Sequence, residues 1–161
     1  MTADSAPDLV ARWAHYYGDR KMVSAAITYV HLAGVLLGGG FAVATDRASL
    51  RLSREEPDLP RELTRLASVH RFVLVGLSLT AASGLLMLFA DLKTYLPSAL
   101  YWTKMGLVAL LLTNGYVRLR AERRLSPDAA DGWRAFRITS ALSLVLWFGI
   151  LLAGAFLTTL S

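Results

Sequence analysis

Cysteine is absent from the 161 residues. Disulfides, thiolate metal centres, iron–sulfur clusters and haem attachment through a Cys-x-x-Cys-His motif are therefore excluded, while the redox compartment is left open. Asparagine occurs once, at Asn114, and the Gly115-Tyr116 that follows makes no glycosylation acceptor. Met1–Lys21 does not read as a secretory signal, because Asp4 and Asp8 stand where a basic region belongs. A further absence is that of carboxylates from four apolar stretches: Val23–Thr45, Phe72–Ala90, Ala99–Val117 and Ile138–Leu157.

What is present is apolar. The chain is 55% hydrophobic with a mean hydropathy of +0.45, a surplus too large for a soluble core of this size. About 20 apolar residues at ~1.5 Å per residue match a hydrocarbon layer of ~30 Å, so each stretch is long enough to cross a bilayer. A soluble bundle would show polar residues every three or four positions, but Val73–Met87 has only Ser78, Thr80, Ser83 and glycines as relief. The expected fold is all-α, an integral membrane four-helix bundle with antiparallel spans. It forms one domain over 1–161, with an N-terminal interfacial helix over 1–21 and spans at about 23–45, 70–90, 98–118 and 137–158. Leu9, Trp13, Tyr16 and Tyr17 fall broadly on one side of that amphipathic N-terminal helix, where aromatics suit a membrane surface.

Arginine sets the expected sidedness. Arg47, Arg51, Arg54, Arg61 and Arg65 lie between spans one and two, and Arg118, Arg120, Arg123, Arg124, Arg134 and Arg137 between spans three and four. The positive-inside rule makes those connectors cytoplasmic and puts both termini on the other face of a cell inner membrane. Acidic residues interrupt both basic loops, so no nucleic-acid partner is expected; membrane lipid is. Proline and acidic side chains mark the turns: Pro57 and Pro60 after span one, Asp91 to Pro97 after span two. Ser5–Asp8 and Ser126–Asp128 read as helix starts.

Three ionisable residues stand in or at the edge of these runs: His31, His70 and Lys104. Charge in hydrocarbon is costly, so such residues mark sites. His31 lies about eight residues, ~12 Å, from the outer end of its span, and Lys104 about six residues, ~9 Å. The two are level and able to face one pocket. Folding back at Pro57 offsets His70 from His31 by roughly 13 residues or ~20 Å, too far for both to ligate one haem, and puts His70 in a separate cytoplasmic layer with Arg71, Asn114, Arg118 and Arg137. Gly34, Gly38 and Ala42 share the face of His31, either as room for a flat macrocycle or as a helix-packing stripe. With no acid inside any span, Lys104 would need Asp91, an exogenous acid, or a snorkelling path to the interface.

Val30-His31-Leu32-Ala33-Gly34, Tyr101-Trp102-Thr103-Lys104 and the basic Arg118–Arg124 exit together carry a resemblance. The chain resembles the four-helix membrane superfamily of the HemJ-type protoporphyrinogen oxidases and the CopD copper-resistance membrane domain. Phe72–Met87 and Asn114 look more like the CopD pattern. The resemblance implies haem b, His31 as an axial ligand to its iron, and Lys104 as an active-site or catalytic residue; the spacing of Gly34 and Gly38 would put them beside that cofactor. The implied activity is an oxidoreduction of a porphyrinogen or quinone-like substrate. Asn114-Gly115-Tyr116 departs from the oxidase pattern, which carries a further histidine there, and His70 has no counterpart in it. His70 remains a metal-ligand candidate of the separate layer. Copper handling is the alternative, although Cu(I) prefers thiolates and thioethers. A cofactor-free structural subunit of a membrane complex, held by the glycine stripes, is a third reading; a homo-oligomer or a membrane-complex partner is expected on any of them.

Overall fold

The computed structural model describes residues 5–53, 55, 57–123, 125 and 130–160, and these are helical apart from short connections. The elements are α1 (Ser5–Asp19), α2 (Lys21–Arg51), α3 (Leu59–Ala90), α4 (Leu92–Tyr95), α5 (Ala99–Glu122) and α6 (Ala130–Leu160). No strand occurs among the described residues. The start expected at Ser126–Asp128 lies outside them, as does the Ser5 side chain.

Three helices are long and apolar enough to cross a membrane: Lys21–Arg51, Leu59–Ala90 and the Asp131–Leu157 part of α6. The stretch expected as span three forms the 24-residue α5 but falls outside that group. Lys104, Asn114 and the Tyr101-Trp102-Thr103 entry dilute its apolar content. At ~1.5 Å per residue, a 31-residue α2 is ~46 Å long and extends beyond a ~30 Å hydrocarbon layer.

The outer surface is unlike that of a soluble protein. Leu36 is 76% and Val145 68% exposed, and Leu32, Leu74, Leu110, Phe148 and Leu152 also face outward. Asp46, Ser49 and Ser140 are fully buried instead. Apolar surface on this scale needs an apolar neighbour, and lipid is the one that three such helices imply.

The helices meet along seams whose residue numbers rise on one side and fall on the other. On α2 and α3, His31 meets Ser83, Gly38 packs on Gly76, and Phe41 stacks on Phe72 at 5.1 Å. On α5 and α6, Lys104 lies by Gly154, Leu107 by Gly149, and Asn114 bonds Thr139. Helix α2 also packs on α6, Gly39 against the Trp147 ring and the Leu52 carbonyl against Arg137. Ala42, Leu111, Leu146, Trp147 and Ile150 form a central cluster, while Leu52, Leu59, Leu66, Ala121, Trp133 and Phe136 close the Pro57 end.

The opposite end is aromatic. Asp91 turns the chain by accepting from the Thr94 amide (3.2 Å), and Ser98 caps α5 through the Tyr101 amide (3.3 Å). The Trp102 indole donates to the Leu96 carbonyl at 3.0 Å. Burial, aided by the Asp91 carboxylate and Tyr17, pushes the Tyr95 phenol above its usual value, so it stays neutral at physiological pH. Helix α1 packs on α3 and α2 here, and the Trp13 indole donates to the Leu86 carbonyl at 2.8 Å. Trp13→Phe keeps the ring and removes the donor, a loss of about 1 kcal/mol. Amide exchange in α1 is expected to quicken roughly fivefold while α3 is unchanged; identical exchange would show that the bond does not hold α1.

Candidate functional site

His31 is half-buried on the seam between α2 and α3. Its Nδ1 lies 3.1 Å from the Ser83 hydroxyl. A hydroxyl has one proton, and Ser83 gives its own to the Leu79 carbonyl one turn back, at 2.6 Å. Ser83 Oγ therefore accepts from Nδ1–H, and in the neutral ring the lone pair is on Nε2. Gly84 is what lets the ring sit there: a Cβ at that position would come within 3.3 Å of the imidazole Cε1.

Lys104 reaches the same region from α5. Its Nζ lies 3.6 Å from where a Cβ would project from Gly154, and its charge acts on His31. No carboxylate pairs with it among the described residues, Asp91 included. The structure thus brings His31 and Lys104 within electrostatic range from two helices that are not neighbours in sequence.

The glycine stripe is used otherwise than as a cradle. A Cβ on Gly34 would lie 2.7 Å from Thr80 Oγ1 and 2.9 Å from the Gly76 carbonyl, and one on Gly38 3.2 Å from the Gly76 backbone. Helix α3 fills the space beside both glycines, which let the two backbones approach, as the helix-packing reading of the stripe has it. His70 sits beyond the Phe41–Phe72 contact, on the Asp46 side of it and away from His31. Among the described residues no three His, Asp or Glu side chains gather to hold a metal ion. Asn114 donates to the Thr139 carbonyl at 2.8 Å and so joins α5 to α6. Arg71 is exposed and lies over the Phe72 ring.

An acid–base pair that the sequence reading did not single out lies deeper toward the Pro57 end. Asp46, 1% exposed, and Arg118, 8% exposed, approach to 3.3 Å between Oδ1 and Nε. Arg118 also donates to Ser49 Oγ at 2.8 Å and lies over the Phe136 ring at 5.5 Å, while Ser143 of α6 lies beside the Asp46 carboxylate. The sequence places Arg118 in a cytoplasmic layer with His70, Arg71, Asn114 and Arg137, and Asp46 just past the end of the apolar stretch Val23–Thr45. The helix continues through Asp46 to Arg51 and turns the carboxylate inward, so Arg118 follows it. The one clue available in advance was small: Thr45, Asp46 and Ser49 form a polar patch on one helical turn.

Together these observations define a helical protein with three helices able to cross a membrane and two polar levels inside. Scans against protein-family models, curated proteins and solved structures each find no match.

Proposed function

We propose that the chain is a multi-pass inner-membrane protein whose four long helices form an antiparallel bundle, with both termini on the non-cytoplasmic face. On this reading it binds haem b or a related porphyrin through His31, with Lys104 at the same site. The hydrogen-bonded state of His31 carries the reading. A metal-ligating histidine donates its other ring N–H to a protein oxygen, which fixes tautomer and orientation, and Ser83 is that oxygen here. His31 would hold the iron through Nε2, and the Lys104 ammonium would answer a porphyrin carboxylate, the acid that no protein side chain supplies. A haem held there supplies one-electron redox chemistry, which suits a porphyrinogen or quinone-like substrate. The topology is supported by the opposed seams, by the arginines clustered at the Pro57 end and by the aromatic layer at the other.

Protein purified in detergent from cells supplied with haem is expected to show a Soret band that shifts on reduction with dithionite. His31→Ala should abolish it. Ser83→Ala, which frees Nδ1, should retain the band with at least tenfold weaker haem retention. A colourless parent, or a band indifferent to His31→Ala, overturns the reading and leaves a cofactor-free helical subunit.

A further inference from the structure

Helix α2 has a second face that the His31 site does not use. Gly40, Ala44, Arg47, Ala48 and Arg51 recur at intervals of three and four, all exposed along one side of the helix. They line a groove of about 630 Å³ that Leu52 and Glu62 close at the Pro57 end. At Gly40 there is open space where a Cβ would project. The groove is therefore apolar and small-sided at mid-helix and cationic at one end. Glu62 lies 3.9 Å from Arg65, which answers its charge. Among the described residues neither Arg47 nor Arg51 has an ion-pair partner.

We propose that this groove binds an anionic phospholipid, its phosphate between Arg47 and Arg51 and one acyl chain along Gly40, Ala44 and Ala48. The inference rests on the membrane placement proposed above and is independent of the haem. Gly40 to Arg51 rises ~16 Å, about one leaflet of a ~30 Å hydrocarbon layer, so a lipid with its phosphate at the arginines has its tail beside the glycine. Two guanidinium groups one turn apart match a phosphate better than a zwitterionic headgroup, whose own cation they would repel.

Native mass spectrometry of the full chain in detergent tests this with phosphatidylglycerol, with phosphatidylcholine of the same acyl chains, and with inorganic phosphate. Retained phosphatidylglycerol is expected, with little phosphatidylcholine and no displacement by millimolar phosphate. Arg47→Gln/Arg51→Gln should weaken retention roughly 30-fold, at about 1 kcal/mol for each arginine. Arg120→Gln/Arg134→Gln, which removes two exposed cations near the same end of the bundle, should leave it within about twofold. Equal retention of both lipids, displacement by phosphate alone, or indifference to the Arg47/Arg51 replacement overturns the groove as a lipid site. An alkaline carbonate wash separates the two failures. Release of the parent protein from membranes defeats the membrane placement itself, whereas a protein that stays and shows no lipid preference defeats only the groove.

Discussion

Gly76→Ala is expected to be the most disruptive alanine substitution among the described glycines. A Cβ at Gly76 would point directly at the Gly38 amide nitrogen and lie 2.5 Å from the Gly38 Cα and 2.7 Å from the Gly34 carbonyl. All three neighbours are backbone, so no rotamer change relieves the clash and α2 must move away from α3. Overpacking a close seam costs about 1–3 kcal/mol where side chains can adjust, and more where they cannot, so a loss of at least about 3 kcal/mol is expected. Gly106→Ala is the matched control. Nothing lies within 4 Å of its Cβ position, and helix propensity favours alanine over glycine by about 1 kcal/mol. Thermal unfolding of both variants in one detergent measures the difference. Because the His31–Ser83 bond bridges the same two helices, Gly76→Ala should also reduce any haem retained. If both variants melt together, α2 and α3 do not pack through these glycines.

The second large effect is expected at Asp46 and Arg118. Removing one partner of a buried ion pair leaves an uncompensated charge and costs about 3–5 kcal/mol, whereas replacing both with apolar residues of similar volume costs far less. Asp46→Leu and Arg118→Leu should each be strongly destabilising, and the double variant should recover at least half of the larger loss. Arg118→Lys should not rescue the arginine. Lysine lacks the fork that reaches Asp46 and Ser49 together and the planar group that lies over Phe136. A double-mutant cycle read by denaturant or thermal unfolding gives the coupling directly, and additive single effects would show that the pair is not energetically joined. The pair ties α2 to α5, with Ser143 adding α6 to the same level. Its loss should therefore loosen the Pro57 end as a unit, seen as faster amide exchange around Leu52, Ala121 and Phe136.

The chain's apolar lengths and its punctuation were legible from residues alone. Pro60 falls in the first turn of α3, Asp91 ends that helix, and the offset between His31 and His70 follows from helical rise once the turn near Pro57 is placed. Glycine at three- and four-residue intervals also marked the α2 face that another helix approaches. These features depend on local backbone geometry and on apolar length, which are written residue by residue.

Which face of each helix points inward was not legible in the same way. Helices apolar nearly all round give periodicity little to act on, so rotation about each axis is chosen by packing. Asp46 illustrates the consequence. At the end of an apolar run it reads as the edge of a span, and only the approach of Arg118 from a distant helix makes burying it tolerable. The same holds for Gly34 and Gly38, where room for a cofactor and room for a helix look identical until Gly76 arrives. Sequence alone determined that this is an all-helical chain with apolar segments of membrane-crossing length and two separated levels of ionisable residues. Only the tertiary structure decided which residues at those levels meet. A charge or a glycine takes its role from the group brought against it, and that group comes from another helix.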